Sequence, residues 1–381
     1  MKYIPYGKQF IDNRDKKLVL NSLTNDLITT GLYVKNFENK LKKYLKCKFS
    51  YVCNSGTSAI HLAMLSIGLK KGDVVLMPAV NFIASYNIAK IMQLRVYLVD
   101  VDEYTGQITP DKIFDCIRKN KIKKISALVV MYHGGFPENS ENFYKLKKKY
   151  NFFIIEDACH ALGASYKYQN KFIKIGSCKH ADISTFSLHP LKTITSGEGG
   201  IITTNNSKIA QDIQLFRSHG ISRSKNHWNY NILKHGYNYR LSDINCALGL
   251  SQLNKIGFFL KMRKKIYTRY VEALENFNLN LILPKYSKNN NSAFHLSFIN
   301  INFKNLKKNK DHFMKYLIEN KILAQQHYIP IYKFDIYKEK KIYFPGSENF
   351  YKNTVSIPIF VDLKVGQQKK VIKVIKNYFK N

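Results

Sequence analysis

No apolar run in this 381-residue sequence approaches the roughly 20 residues needed to span a bilayer, so no transmembrane helix is expected. There is no CxxC pair. Cys47, Cys53, Cys116, Cys159, Cys178 and Cys246 are scattered, which argues against a zinc site or a disulfide framework and for reduced, mostly buried thiols. Internal repeats and long polar linkers are absent too. The opening Met-Lys-Tyr-Ile-Pro-Tyr-Gly has no signal-peptide apolar region, and a cytoplasmic protein is expected. Acidic residues are scarce, with 26 Asp and Glu against 61 Lys and Arg, a formal net charge of +35. Such an excess can mean nucleic-acid or anionic-membrane binding. Here the lysines are spread along the chain in short clusters such as Lys145–Lys149 and Lys304–Lys310, beside abundant Asn, Ile and Tyr. They do not alternate with an RNP-like, zinc-finger or helix-turn-helix pattern. Neither nucleic acid nor membrane is expected as a partner, although a basic field can attract a small anionic substrate.

What is present is alternation. Short apolar runs predict strands at residues 51–53, 73–77, 95–99, 126–131, 152–155, 183–186 and 200–204. Helical spacing predicts helices at 37–45, 57–67, 82–92, 111–118 and 141–150. Strands between helices imply an α/β fold, a mostly parallel central sheet with helices on both faces. After about residue 250 the pattern changes to a long basic helix over 253–274, a strand at 294–303 and helices at 312–320 and 365–379. Two domains are expected: a large one over 1–250, whose N-terminal segment reaches the substrate, and a smaller α+β one over 251–381.

Within the large domain, Lys192 has an unusual setting: Thr185-Phe-Ser-Leu-His-Pro-Leu-Lys192-Thr-Ile-Thr-Ser-Gly-Glu-Gly-Gly200. A strand ends in the Ser187 hydroxyl, a proline breaks it, and a Gly-rich turn follows. This presents an amine at a strand end beside a hydroxyl able to hold a phosphate. A lysine that forms a Schiff base with pyridoxal phosphate (PLP) needs such placement.

A PLP enzyme also needs a carboxylate for the pyridine nitrogen, a phosphate cradle and a ring-stacking partner. Asp157 follows an apolar strand and suits the first role; read alone it is equally a capping aspartate. His160 can meet the ring hydroxyl or be a packed imidazole. Ser55-Gly56-Thr57-Ser58 opens a helix after a strand, which makes an anion site or an ordinary N-cap. Ser187 is a second phosphate candidate. Phe82 can stack on the ring or pack in the core.

Taken together, these residues resemble the sugar aminotransferases of the DegT/DnrJ/StrS family, a branch of fold-type I PLP enzymes. The matching stretches are Asn54–Ala59, Glu156–Ala164, Phe186–Gly200 and Gly236–Ile244 followed by Ala247-Leu-Gly249. The resemblance implies a homodimer whose active sites are shared between chains, with Asn238 reaching the partner's cofactor phosphate and substrate. Within the family it is nearest the branch serving pseudaminic acid synthesis, through Ile4–Gln9, Leu27–Gly31 and Ile322–Ile331. That implies transfer of the amino group of L-glutamate to C4 of a UDP-linked 4-keto sugar, UDP-2-acetamido-2,6-dideoxy-β-L-arabino-hex-4-ulose. The implied sugar-nucleotide contacts are Tyr6, Asp26, Leu27, Ile28, Thr29, Gln326, His327 and Tyr328. No metal is implied. Thr30, Leu32 and Leu188 depart from the branch, where Gln, Pro and Phe are usual.

Three other readings stand beside this one. The family's PLP-dependent dehydratases carry His where this chain has Lys192, which argues against them. The acceptor can be another UDP- or GDP-4-keto-6-deoxyhexose, of perosamine or bacillosamine type. A non-catalytic basic binding protein would have no use for the lysine, carboxylate and cradle together.

Overall fold

The structure, a computed structural model, describes residues 3–224, 226, 228–337 and 343–380. In chain order, α1 (Asn13–Ser22) and α2 (Leu32–Leu45) lead to β1 (Phe49–Cys53) and α3 (Gly56–Ser66). Strand–helix units follow: β2 (Val74–Pro78) with α4 (Ala84–Ile91), β3 (Arg95–Val99) with α5 (Pro110–Lys119), and β4 (Ala127–Met131) with α6 (Ser140–Tyr150). After β5 (Phe153–Asp157) come β6 (Ser165–Tyr168), β7 (Lys171–Lys174), β8 (Ile183–Ser187), β9 (Gly200–Thr204) and α7 (Ser207–Arg217). Then come β10 (Ile221–Arg223), β11 (Tyr230–Ile232), α8 (Asp243–Asn254) and α9 (Ile256–Leu274). The chain closes with β12 (Leu281–Ile282), β13 (Ser297–Ile301), α10 (Lys310–Glu319), α11 (Pro345–Asn353), β14 (Thr354–Ile357) and α12 (Val365–Tyr378).

Seven strands form one sheet in the order β1-β9-β8-β5-β4-β2-β3. Pairings from β8 to β3 are parallel, and β9 runs antiparallel to both β8 and β1. Every residue of β4 and β9 is buried, as expected of strands covered on both faces. The second sheet, β12-β13-β14, packs with α10 and α12 around Ile299, Ile301, Phe313, Leu317, Val355, Ile357, Val371 and Ile375. Removing each such side chain from water contributes roughly 1.5–3 kcal/mol.

Ile4 belongs to this second cluster. Its backbone N–H donates to the Lys321 carbonyl at 2.9 Å, and its carbonyl accepts from Leu323 N–H at 2.9 Å. Ile359 N–H donates to the Tyr6 carbonyl at 2.9 Å. The first residues are therefore sewn onto the last hundred.

The helix expected over 253–274 is cut. Lys255 stands between α8 and α9, and its ammonium reaches Asp15 at 2.6 Å and Asp12 at 2.9 Å. The expected strand over 294–303 shortens to β13, because Phe294 has φ of 48° and ends the extended run. Among the described residues, no helix is long and apolar enough to cross a membrane.

Candidate active site

Because β9 is antiparallel to its neighbours, β1, β2, β4, β5 and β8 all end at the same edge of the sheet. Loops leaving those carboxyl ends meet over a cavity of about 540 Å³, the place where open α/β sheets hold ligands. Its walls include Gly56 and Thr57 after β1, Asn81 and Phe82 after β2, Met131 of β4, Asp157 of β5, and Ser187 and Lys192 of and after β8.

Asp157 is the last residue of β5 and is 3% exposed. Asn81 Nδ2 and Ser85 Oγ donate to its Oδ2 at 3.4 and 3.1 Å, and Cys159 N–H donates to Oδ1 at 3.4 Å. These donors give hydrogen-bond partners to a carboxylate that is cut off from water.

Lys192 lies in a tied turn. The Leu188 carbonyl accepts from Ser196 N–H at 3.0 Å and Thr195 Oγ1 at 2.9 Å, and Lys192 N–H donates to the His189 carbonyl at 2.9 Å. Burial pulls the Lys192 ammonium below its ordinary pKa, against the opposing pull of nearby Cys159 and Asp157. The amine is thus readier to lose its proton than a surface lysine.

Ser55 caps α3, its Oγ accepting from Ser58 N–H at 3.1 Å. Ser55, Gly56 and Thr57 line the cavity, so the positive end of the α3 dipole faces it. Ser187 closes the other side. A Cβ on Gly56 would stand 2.9 Å from Ser187 Cβ, so glycine is what lets the two loops approach.

Above this floor, His160 Nε2 lies 2.9 Å from the Tyr328 hydroxyl, and Phe82 packs 5.8 Å from the Tyr328 ring while remaining 54% exposed. His295 lies 4.2 Å from His160 between ring centroids. Tyr6 meets His327 at 5.4 Å. His133, His160, His295 and His327 are all pushed below their ordinary pKa, first by burial and also by the Lys192 charge. The four imidazoles are therefore neutral at neutral pH.

Of the residues expected at the site, the cavity gathers Tyr6, Gly56, Thr57, Phe82, Asp157, His160, Ser187, Lys192, Gln326, His327 and Tyr328. Ser58 is buried beside it, with its hydroxyl donating to Asn54 Oδ1 at 2.6 Å. Asp26, Leu27, Ile28 and Thr29 are exposed on the surface and do not line it. Asn238 is likewise exposed, in a bridge with Ser218.

The chain matches the DegT/DnrJ/EryC1/StrS aminotransferase family over residues 9–376. It belongs to this family. The chain is 36% identical to the UDP-4-amino-4,6-dideoxy-N-acetyl-beta-L-altrosamine transaminase of Campylobacter jejuni serotype O:23/36, over 97% of this chain and 95% of that one. It is 29% identical to the GDP-perosamine synthase of Escherichia coli O157:H7, over 100% and 99% of the two chains. Its structure matches that of Helicobacter pylori PseC, an aminotransferase involved in pseudoaminic acid biosynthesis, with a TM-score of 0.89, 28% identity and full coverage of both chains. The protein is therefore a PLP-dependent sugar aminotransferase of fold-type I, as the resemblance implied.

The aminotransferase cavity fits its cofactor. It presents a buried amine for the aldehyde, a buried carboxylate for the pyridine nitrogen, and a helix N-terminus with serine and threonine hydroxyls for the phosphate. Several lining residues gave no sequence signal. His295 comes from the second half of the chain and enters only through folding. Asn81, in the loop after β2, and Ser85, in the first turn of α4, lie on either side of Phe82, and their polar side chains so close to it were the available clue to partners for Asp157.

Proposed function

We propose that this aminotransferase moves the amino group of L-glutamate to C4 of UDP-2-acetamido-2,6-dideoxy-β-L-arabino-hex-4-ulose. The observation that carries the reading is Lys192 and Asp157 on the floor of a cavity whose walls are Tyr6, Gln326, His327 and Tyr328. Those wall residues lie in the stretches that resemble the pseudaminic acid branch, and the Campylobacter jejuni relative bears the matching name.

When bound, PLP supplies the electron sink and carries the amino group from donor to acceptor. Asp157 would hold the pyridine nitrogen cationic, Phe82 would cover a ring face, and His160 would face the ring hydroxyl. The α3 N-terminus, Thr57 and Ser187 would hold the phosphate, with Ser58 fixing the turn. Lys192 takes the proton from Cα of glutamate in the first half-reaction and delivers one to C4 of the sugar in the second. Its lowered pKa favours the neutral amine that the first transfer requires.

Asp26 to Thr29 and Asn238 enter this reading through a second copy of the chain. Leu20, Leu23, Leu27, Ile28 and Leu32 are exposed around the first of these segments, as a surface awaiting a partner would be. Residues 1–250 then form the cofactor domain and 251–381 the smaller one. Mixing inactive Lys192→Ala and Asn238→Ala chains should restore activity, since one hybrid site would be intact; no recovery would refute the shared site.

A second acceptor is favoured by the Escherichia coli relative, a GDP-perosamine synthase. Incubating UDP- and GDP-linked 4-keto sugars with glutamate, and following amination by mass, decides between them. Preference for a GDP sugar would overturn the first reading.

A further inference from the structure

Lys310, the first residue of α10, sits outside the machinery assigned above. It is partly withdrawn from water, and its Nζ donates to Gln326 Oε1 and to the Tyr351 carbonyl. The ammonium also lies 4.0 Å from the centre of the Tyr351 ring. No carboxylate pairs with it among the described residues. Burial lowers its pKa to about 8, so at neutral pH it still carries its three donors.

An ammonium has no lone pair, so only the oxygen of the Gln326 amide can face it. That settles the orientation of the amide, whose NH₂ then points away from Lys310. Gln326 Nε2 is buried and has no acceptor among the described residues. A buried donor without an acceptor is costly and marks a missing partner. The backbone beside it cannot swing to relieve this: Gln325 N–H donates to the Ser356 carbonyl at 3.0 Å, and Ser356 N–H to the Gln325 carbonyl at 2.8 Å. Gln326 itself lines the cavity between Gln325 and His327.

We propose that Lys310 is a positioning residue, which locks the Gln326 amide so that its NH₂ donates to an acceptor oxygen of the bound nucleotide sugar. The inference rests on the sugar-nucleotide reading and adds a specificity element to it. Glutamate does not need this donor, so the two half-reactions separate it from a general structural role.

The test compares wild type, Lys310→Met, Lys310→Arg and Gln326→Leu as PLP-loaded enzymes. Gln326→Leu keeps the bulk of the side chain but supplies no donor and adds no charge. Lys310→Met and Gln326→Leu should each raise the KM for the 4-keto sugar roughly tenfold, the worth of one hydrogen bond to an uncharged group. Lys310→Arg should recover part of the loss, and the double variant Lys310→Met/Gln326→Leu should be no worse than Gln326→Leu alone. In Lys310→Met the glutamate half-reaction, read from the cofactor absorbance, should stay within about twofold. An unchanged sugar KM in Lys310→Met, an additive double variant, or equal slowing of both half-reactions would each overturn the proposal. If wild type aminates no UDP- or GDP-linked 4-keto sugar, the underlying reading fails and the proposal falls with it.

Discussion

His160 and Tyr328 are joined across 2.9 Å, and the direction of that hydrogen bond is determined. The backbone N–H of Gly134 faces His160 Nδ1 at 3.4 Å, and an amide N–H only donates. Nδ1 therefore accepts, Nε2 carries the proton, and the Tyr328 oxygen receives it. Tyr328 keeps its own proton for the cavity. Burial raises the tyrosine pKa well above the ordinary value and pushes the histidine well below its own, so both stay neutral.

Tyr328→Phe removes the donor and leaves the ring. The rate of amino transfer should fall roughly 10²- to 10³-fold, the range of a single polar group acting in a transition state. His160→Gln should do the same, and the double variant should be little worse, because the two act as one chain. Single-turnover kinetics of the glutamate half-reaction provides the check; additive losses would mean independent roles.

Lys192→Ala deletes the amine that moves the proton. Turnover should drop by more than about 10³-fold, while the fold and the melting temperature stay near wild type. Added methylamine should return a fraction of the rate. Persistence of more than a few per cent of activity without it would remove Lys192 from its assigned role.

Ser85→Ala tests how far Asp157 depends on its neighbours. Ser85 Oγ donates to Oδ2 at 3.1 Å inside a dry site, where a hydrogen bond to a charged group is worth about 1.5–3 kcal/mol. Loss of it should weaken PLP retention about tenfold on dialysis. Asp157→Asn should weaken it further and nearly stop the reaction. Equal PLP affinity in all three proteins would show that the carboxylate does not hold the ring.

The buried histidines also make stability depend on acid. Burial holds His133 down to about 4 and His327 to about 3, against an ordinary 6.5. Between those values the unfolded chain binds more protons than the folded one, so stability rises with pH from about 3 to about 6.5. Above that window these two groups contribute no slope. At about 1.4 kcal/mol per pKa unit, His133 alone carries roughly 3 kcal/mol. The melting temperature should fall steeply from pH 6.5 to pH 4, and His133→Asn should flatten the slope. A variant with the wild-type slope would place the acid sensitivity elsewhere.

How much of this was legible in advance depended on whether a residue's neighbours in sequence are also its neighbours in space. The strands around Val74–Pro78 and Ala127–Met131 were legible because continuous apolar runs between helices have few other solutions. α8 was not, because Asp243, Cys246, Ala247, Gly249, Ser251 and Gln252 are buried around most of its surface and leave no apolar stripe to read. The cut at Lys255 was invisible as well, since the partners of its ammonium there, Asp12 and Asp15, lie in α1 and its cap, far away in sequence. Asp243 is a similar case: its carboxylate accepts from Gly31, Tyr33 and Val34 N–H and so caps α2 from far along the chain.

The sequence alone determined the α/β layering, the Lys192 turn, the Asp157 strand end and the Ser55–Ser58 helix start, because each is a local pattern of a few consecutive residues. Only the tertiary structure brought Tyr6 against His327, set His160 beneath Tyr328, and turned the Gln326 amide toward Lys310. Those contacts depend on Ile4 pairing with the backbone of Lys321 and Leu323 and on which hydrogen-bond donors burial leaves without water. No local spacing records either.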